Sequence, residues 1–124
     1  SKNGNTMKLI GNTMQRVAVF AALLLFVVAC SEEDPSVRVR NDLDVKANVQ
    51  LKPAVGNTIN VNDVAGGSMS PEVTVQEGLW TATASIQAAS GDWTTTFDVK
   101  NDNRYTVVLV NSDPPAIEVQ SEEK

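Results

Sequence analysis

The stretch that decides the fold is residues 79–110, which read LWTATASIQAASGDWTTTFDVKNDNRYTVVLV. Apolar and polar residues alternate there with a period of two, over 80–86, again over 93–99 and a third time over 105–109. Successive side chains of a β-strand point to opposite faces, so strict alternation is the pattern of a half-buried strand. The stretch therefore predicts three strands.

Two hairpins are predicted within this stretch. Residues 79–87 pair with 92–100 across a loop near 90–91, and 92–100 pair in turn with 104–110 across a turn at 101–103. The residues of these connections are mainly Gly, Ser, Asn and Asp. Gly tolerates a positive φ, and Asn and Asp side chains form local turn hydrogen bonds, so both connections suit a change of direction.

The alternation continues on both sides of this stretch. Further runs lie at 36–40, 45–52, 58–62, 72–76 and 117–119. Strands separated by turn residues every eight to twelve residues are typical of an antiparallel β-sandwich. We therefore predict an all-β sandwich of about seven or eight strands over 36–120, followed by a polar tail at 121–124.

The N-terminus has a different pattern. Residues 17–29 are thirteen apolar residues without a charge, and Lys8 and Arg16 precede them. A membrane-spanning helix needs about 20 apolar residues. The run is shorter than that and follows a positive segment, so it predicts a helical signal peptide over 1–29. Translation could begin at Met7 or Met14, which would make 1–6 upstream sequence.

The end of the apolar run is more specific. The sequence VVAC at 27–30 resembles the lipobox of bacterial lipoproteins. That resemblance implies cleavage between Ala29 and Cys30, with a diacylglyceryl thioether and a fatty acid on Cys30 and no other cofactor. Two or more acyl chains hold a soluble domain stably at a membrane. Cys30 is also the only cysteine, so no disulfide competes for it.

Residues 30–35 would form the lipidated end and an acidic tether. Ser31 follows the cysteine where lipoproteins retained at the inner membrane often carry Asp, so the resemblance implies the outer membrane. The acidic run at 32–34 is similar to tethers that export lipoproteins to the cell surface, although an acidic spacer beside a membrane is also simply well solvated. Both a surface-exposed and a periplasm-facing domain stay open.

The stretch 36–119 resembles a family of small bacterial surface β-sandwich domains of unknown function, immunoglobulin-like or transthyretin-like in shape. The resemblance depends on four segments: SVRVRN at 36–41, VKANVQL at 45–51, GLWTAT at 78–83 and RYTVVLVN at 104–111. It implies a fold and carries no catalytic residues.

Composition excludes several functions. The chain has no histidine, so neither a Ser-His-Asp triad nor a Cys-His dyad can form. Residues 30–124 carry seven basic and fifteen acidic residues, a formal charge of −8 that repels nucleic-acid phosphates. With no catalytic motif recognised, we expect a protein that is not an enzyme and does not bind nucleic acid.

Two aromatic residues are candidate ligand contacts. Trp93 and Tyr105 could form a platform on which a sugar ring stacks. Each also lies in phase with the apolar residues of its own strand, which favours a place in the core. A glycan site therefore requires that at least one of the two rings is exposed.

Charged side chains provide two further candidates. Asp42, Asp44 and Asp102 could hold calcium if their loops met at one end of the sandwich, since calcium takes six to eight oxygen ligands. Turn chemistry explains the same residues without a metal. A small basic strip could dock an anionic partner if the first two strands paired, and it would consist of Arg38, Arg40, Lys46 and Lys52.

The sequence thus predicts a lipid-anchored lipoprotein of the bacterial outer membrane with a non-catalytic β-sandwich. Its partners would be the membrane, through the lipid, and an envelope protein or a glycan. The alternative is a carbohydrate-binding accessory module at the cell surface.

Overall fold

Eight β-strands form two sheets in the part of the chain that the structure, a computed structural model, describes: residues 32–124. These residues contain no helix. The strands are β1 (Ser36–Asn41), β2 (Ala47–Pro53), β3 (Ile59–Val64), β4 (Val73–Thr74), β5 (Gly78–Ile86), β6 (Asp92–Val99), β7 (Asn103–Val110) and β8 (Ala116–Glu123). The predicted all-β sandwich is confirmed. The predicted signal peptide and Cys30 lie outside the described residues.

Each sheet has four strands. One has the order β4-β1-β7-β8 and the other β3-β2-β5-β6. β1 and β7 run parallel, with Ser36 opposite Arg104 and Asn41 opposite Leu109, while the other paired strands are antiparallel. A parallel pair needs a long crossover, and the chain supplies it by building the whole second sheet between β1 and β7.

The core consists of the inward residues of both sheets. In β2 the buried positions alternate with exposed ones, and in β5 with exposed or half-buried ones, as the sequence predicted. Trp80 is 2% exposed, and its indole N–H donates to the Gln76 carbonyl at 3.0 Å, which satisfies its one polar group inside the core. Most of the other core side chains are Val, Leu, Ile and Ala.

The predicted second hairpin is wrong. β5 and β6 do pair, but β6 and β7 lie in different sheets, so the turn at 101–103 carries the chain from one sheet to the other. The Lys100 N–H donates to the Tyr105 hydroxyl at 2.8 Å, and Asp102 has a φ of 69°. Alternation specifies a strand and its buried face but not its partner, so the same pattern fits a hairpin and a crossing between sheets.

Both ends of the predicted domain extend further than expected. Glu33 and Asp102 exchange two hydrogen bonds, of 2.8 and 2.9 Å, and Pro35 is buried, so the second half of the predicted tether belongs to the folded unit. The predicted polar tail is wrong as well. Residues 121–123 complete β8, where Ser121 pairs with Tyr105. The strand at 117–119 was predicted, but its polar C-terminal part was missed because an edge strand exposes much of its surface.

Asn41 is the buried polar group that joins the loops at one end of the sandwich. Its side chain is 0% exposed, and its Nδ2 donates to the carbonyls of Val45 and Val64 at 2.8 and 2.9 Å. Its Oδ1 accepts from the Leu43 N–H at 2.9 Å. These bonds fix the β1–β2 loop against the end of β3. We call this end, with the loops at 42–46, 65–71, 87–91 and 111–115, the distal end.

Candidate binding surfaces

The predicted aromatic platform does not form. Tyr105 is only 6% exposed, and its ring centroid lies 5.8 Å from that of Phe97. Trp93 is half-buried and packs against the core from the inward face of β6, opposite Ala84. Both residues thus lie where their phase along the strand indicated, at the core. Tyr105 has no exposed face on which a sugar could stack.

The predicted calcium residues are separated. Asp42 and Asp44 follow β1 at the distal end, whereas Asp102 precedes β7 at the other end. Because β1 runs parallel to β7, the length of a six-residue strand separates the two loops, about 17 Å. Asp42 pairs with Arg40 at 3.2 Å, and Asp102 accepts from the Glu33 N–H. Residues 32–124 hold no group of three or more potential metal ligands.

The predicted basic strip does not form either. β1 and β2 belong to different sheets, so Arg38 and Arg40 do not lie beside Lys46 and Lys52. Each basic residue of β1 has an acidic partner, and so has Lys46, whose Nζ lies 3.7 Å from Asp63. The alternative interpretation was that these basic residues pair with acidic side chains. It holds for Arg38, Arg40 and Lys46.

An ion-pair network covers the outer face of the β4-β1-β7-β8 sheet. Arg104 donates from Nε to Glu72 at 2.9 Å and from Nη1 to Glu122 at 2.6 Å. The Ser36 hydroxyl donates to the other oxygen of Glu72 at 2.7 Å, and Arg38 lies 3.9 Å from that carboxylate. The network thus connects four strands or strand ends across the sheet.

These contacts hold Glu72 in its ionised form. The hydrogen bond from Ser36, then the hydrogen bond from Arg104, lower the pKa of the Glu72 carboxyl below its ordinary value. Hydrogen bonds to Glu72 and Glu122 raise the pKa of Arg104 further. A general acid needs a carboxyl whose pKa is raised, so this site has the electrostatics of a structural network. The alternation pattern did not single out Glu72, because it precedes a strand of only two residues.

The outer face of the other sheet is rich in hydroxyl and amide groups. Its outward residues on β2, β5 and β6 are Asn48, Gln50, Lys52, Leu79, Thr81, Thr83, Ser85, Asp92, Thr94, Thr96 and Asp98. Thr83 and Thr94 lie directly opposite each other, with their hydroxyls 3.5 Å apart. A depression of about 460 Å³ lies over β2 and β5 beside Thr81 and Thr83. Such a face can donate and accept hydrogen bonds to an uncharged polyhydroxyl ligand. We call it the hydroxyl face.

A small apolar surface lies at the end opposite the distal end. This proximal end carries Glu33 and the loops at 54–58, 75–77 and 100–102. Val55 is 80% exposed and Leu79 53% exposed, and both line one shallow depression of about 130 Å³. We call Val55, Leu79 and the exposed Ala54, which directly follows β2, the apolar tip.

The comparisons with known proteins assign no family. The chain matches none of the protein-family models, and a search of curated proteins gives no significant match. Within residues 32–124 no helix has the length and apolar character needed to cross a bilayer.

Proposed function

We propose that this protein is a lipid-anchored lipoprotein of the bacterial cell envelope whose β-sandwich is a non-catalytic binding or structural module. The observation that carries the proposal is VVAC at 27–30, behind a charged segment and a thirteen-residue apolar run, with the only cysteine at the cleavage position. The compact unit begins at Glu33, three residues after Cys30. A folded domain that begins so soon after Cys30 is compatible with a lipid anchor at that residue.

The properties of the domain are compatible with a module that binds or supports. Arg104 joins acids of two other strand regions, and the resolved pKa shifts are those of groups held in their charged forms by partners. Lys100 fits the same pattern, because a hydrogen bond to Asp98 raises its pKa. Outer-membrane sorting follows from Ser31 in the lipoprotein interpretation, and the domain would face either the medium or the periplasm.

The anchor is tested by replacing Cys30 in the full chain expressed in a lipoprotein-processing bacterium. With wild-type protein we expect incorporation of a clickable fatty acid, a mature-size band and recovery in the membrane fraction. Cys30→Ala should abolish the fatty-acid label and leave the uncleaved precursor, while Ser31→Ala serves as the neighbouring control and should keep all three properties. A labelled or mature membrane-bound Cys30→Ala protein would refute the proposal.

The orientation is tested by protease shaving of intact cells, with a periplasmic protein as a marker of a closed outer membrane. Digestion of the domain would direct the search to surface glycans and neighbouring surface proteins. Survival in intact cells with loss after lysis would direct it to peptidoglycan and envelope-assembly proteins.

A glycan-binding accessory module is the second candidate, and the hydroxyl face favours it. Neither Trp93 nor Tyr105 is exposed, so the ring-stacking form of this candidate is not supported, and binding would depend instead on hydrogen bonds across β2 and β5. Retention on columns of neutral polysaccharide should then fall for Gln50→Ala and for Thr83→Val. Gln120→Ala, at an exposed position of β8 in the other sheet, is the matched control. Equal retention of all four proteins would remove this face from consideration.

A further inference from the structure

Two of the three large hydrophobic residues exposed within residues 32–124 lie together at the proximal end. They are Val55 and Leu79, the main residues of the apolar tip, while the third, Met69, lies towards the distal end. Exposed apolar side chains scattered singly are ordinary. A pair at one end, on the side where the chain arrives from its apolar N-terminus, requires an explanation.

The apolar tip is held in place. The Ala54 N–H donates to the Leu79 carbonyl at 2.9 Å, which ties the 54–58 loop to the start of β5. The Gln76 side-chain amide donates to the Val55 carbonyl at 2.7 Å, so Val55 is held beyond the end of β2 by a second element. Val55 therefore protrudes from a braced loop and Leu79 from the start of β5, so presenting both side chains costs little further conformational entropy.

The tip lies at the end of the sandwich where the chain enters. Glu33 is hydrogen-bonded to Asp102. The N–H of the neighbouring Asn101 donates at 2.8 Å to the side chain of Glu77, the residue directly before β5. Extended chain covers at most about 3.6 Å per residue, so the three residues of chain from Cys30 to Glu33 can span at most about 11 Å. A lipid on Cys30 would thus hold the proximal end at the membrane surface.

We propose that the apolar tip, Val55 and Leu79, inserts into the interfacial region of the lipid bilayer beside the acyl chains of Cys30. This inference rests on the proposed anchor and adds a second contact to it. Apolar side chains in the interfacial layer add binding through their buried area. The tip therefore fixes the orientation of the domain, with β5 directed away from the membrane.

The charges around the tip indicate which lipid suits it. Glu33, Asp34, Glu77 and Asp102 surround the proximal end, and the nearby bases are Lys52, Lys100 and Lys124, whose ammonium donates to the Asp34 carbonyl at 2.7 Å. An excess of carboxylates is repelled by anionic lipids. We therefore expect a zwitterionic surface such as phosphatidylcholine to be preferred, with insertion weakened by added phosphatidylglycerol.

The test measures which end of the anchored protein reaches the bilayer. Protein expressed from the full chain is attached at Cys30 to phosphatidylcholine vesicles. The attachment is the native lipid of the cleaved protein if cells add one, and otherwise a maleimide-bearing lipid on the only cysteine. Tryptophan is introduced by Val55→Trp at the tip or by Ser90→Trp in the exposed distal loop. Eight strand steps of β5 separate the two ends, about 27 Å.

Vesicles with bromine on the acyl chains quench tryptophan that reaches the bilayer. We expect Val55→Trp to show a blue-shifted emission in vesicles and a loss of intensity in brominated lipid beyond that of the wild type, whose Trp80 is buried and Trp93 half-buried. Ser90→Trp should match the wild type. The two variants carry the same residue, so a general affinity of tryptophan for interfaces affects both.

The outcomes separate this inference from the proposed anchor. Equal quenching of Val55→Trp and Ser90→Trp, or quenching of neither, would overturn the tip contact. Failure of cells to acylate Cys30 would refute the anchor, and vesicles loaded through the maleimide lipid would still show whether the tip reaches the bilayer. Quenching of Val55→Trp that falls when phosphatidylglycerol is added would support both the contact and its preference for a zwitterionic surface.

Discussion

The Asn41→Asp substitution tests the hydrogen-bonded group that closes the distal end. It exchanges an amide for a carboxyl of nearly the same shape, so packing is conserved while the Nδ2 donor is lost. Two carbonyl acceptors, those of Val45 and Val64, lose their partner. The Leu43 N–H keeps its acceptor, because Oδ1 remains. The change therefore removes the two donated bonds and places a titratable carboxyl in the same buried site.

Its cost follows from the burial of those bonds. A net hydrogen bond contributes about 1 kcal/mol, and a buried carbonyl left without a partner costs about 1–3 kcal/mol. The bond to Val64 is buried and the one to Val45 partly buried, so water can replace only the second. We expect Asn41→Asp to reduce the free energy of unfolding by about 3–4 kcal/mol at pH 7. That is a large share of the total of about 5–10 kcal/mol for a domain of this size.

The deficit should depend on pH. Burial and the two facing carbonyls raise the pKa of the introduced carboxyl in the folded state, because both disfavour its charged form. A group of this kind stabilises the fold below its unfolded pKa and loses that contribution as the pH rises through its folded pKa. At acidic pH the protonated carboxyl can also donate to one of the carbonyls. The variant should therefore be closer to the wild type at pH 4 than at pH 7.

Urea unfolding of residues 31–124, followed by the fluorescence of the two tryptophans, measures both effects. Asn48→Asp is the matched control, since Asn48 is exposed and its Oδ1 accepts from the Asp63 N–H, a bond that a carboxylate keeps. Its cost should stay within about 0.5 kcal/mol. Similar stabilities of Asn41→Asp and Asn48→Asp, or a deficit that grows towards acidic pH, would refute the reasoning.

Three other contacts are tested by four further substitutions, of which Gly67→Ala is the control for Gly66→Ala. Gly66→Ala would place Cβ 2.6 Å from the Asp44 backbone and should cost about 3 kcal/mol of unfolding free energy, since that backbone cannot yield cheaply. Gly67→Ala meets open space and should cost only the strain of its positive φ, about 1 kcal/mol. Glu72→Gln should lower stability at pH 6 and converge with the wild type as acid protonates Glu72, because a lowered folded pKa gives stability that is lost as the pH falls through it. Tyr105→Phe removes the acceptor of the Lys100 N–H and should lower the free energy of unfolding by about 1–2 kcal/mol. An unchanged urea midpoint would show that this hydrogen bond contributes little to stability.

Local pattern predicted much of the secondary structure and of the core. Trp80 and Tyr105 are buried on the faces that their phase indicated, and the β5–β6 hairpin forms as expected. These features depend on residues that are neighbours in sequence, or on a period of two that a strand imposes on itself. Such signals are present in the sequence before any long-range contact is known.

The candidate sites were harder to predict because they depend on which strands meet. Asn41 has the composition of a turn residue, and its buried role exists only because Val64 comes from another sheet. Glu72 and Arg104 are 32 residues apart and meet because β7 lies parallel to β1. The separation of Asp42 from Asp102 has the same origin. Periodicity carries no information on such pairings, since every strand of a sandwich presents the same alternation.

The topology also decides how the two proposed contacts can coexist. β2, β5 and β6 run between the proximal and distal ends, so a domain held by Cys30 and the apolar tip would stand with its strands directed away from the membrane. The hydroxyl face lies along the side of these strands, and lipid contact at the tip would leave most of it accessible. Leu79 borders both surfaces, so Val55 is the tip residue that separates them. Loss of the Val55 side chain should therefore change the orientation of the domain and leave glycan retention in solution unchanged. Loss of Thr83 hydrogen bonding should do the reverse, and a variant that altered both would show that the two surfaces are one.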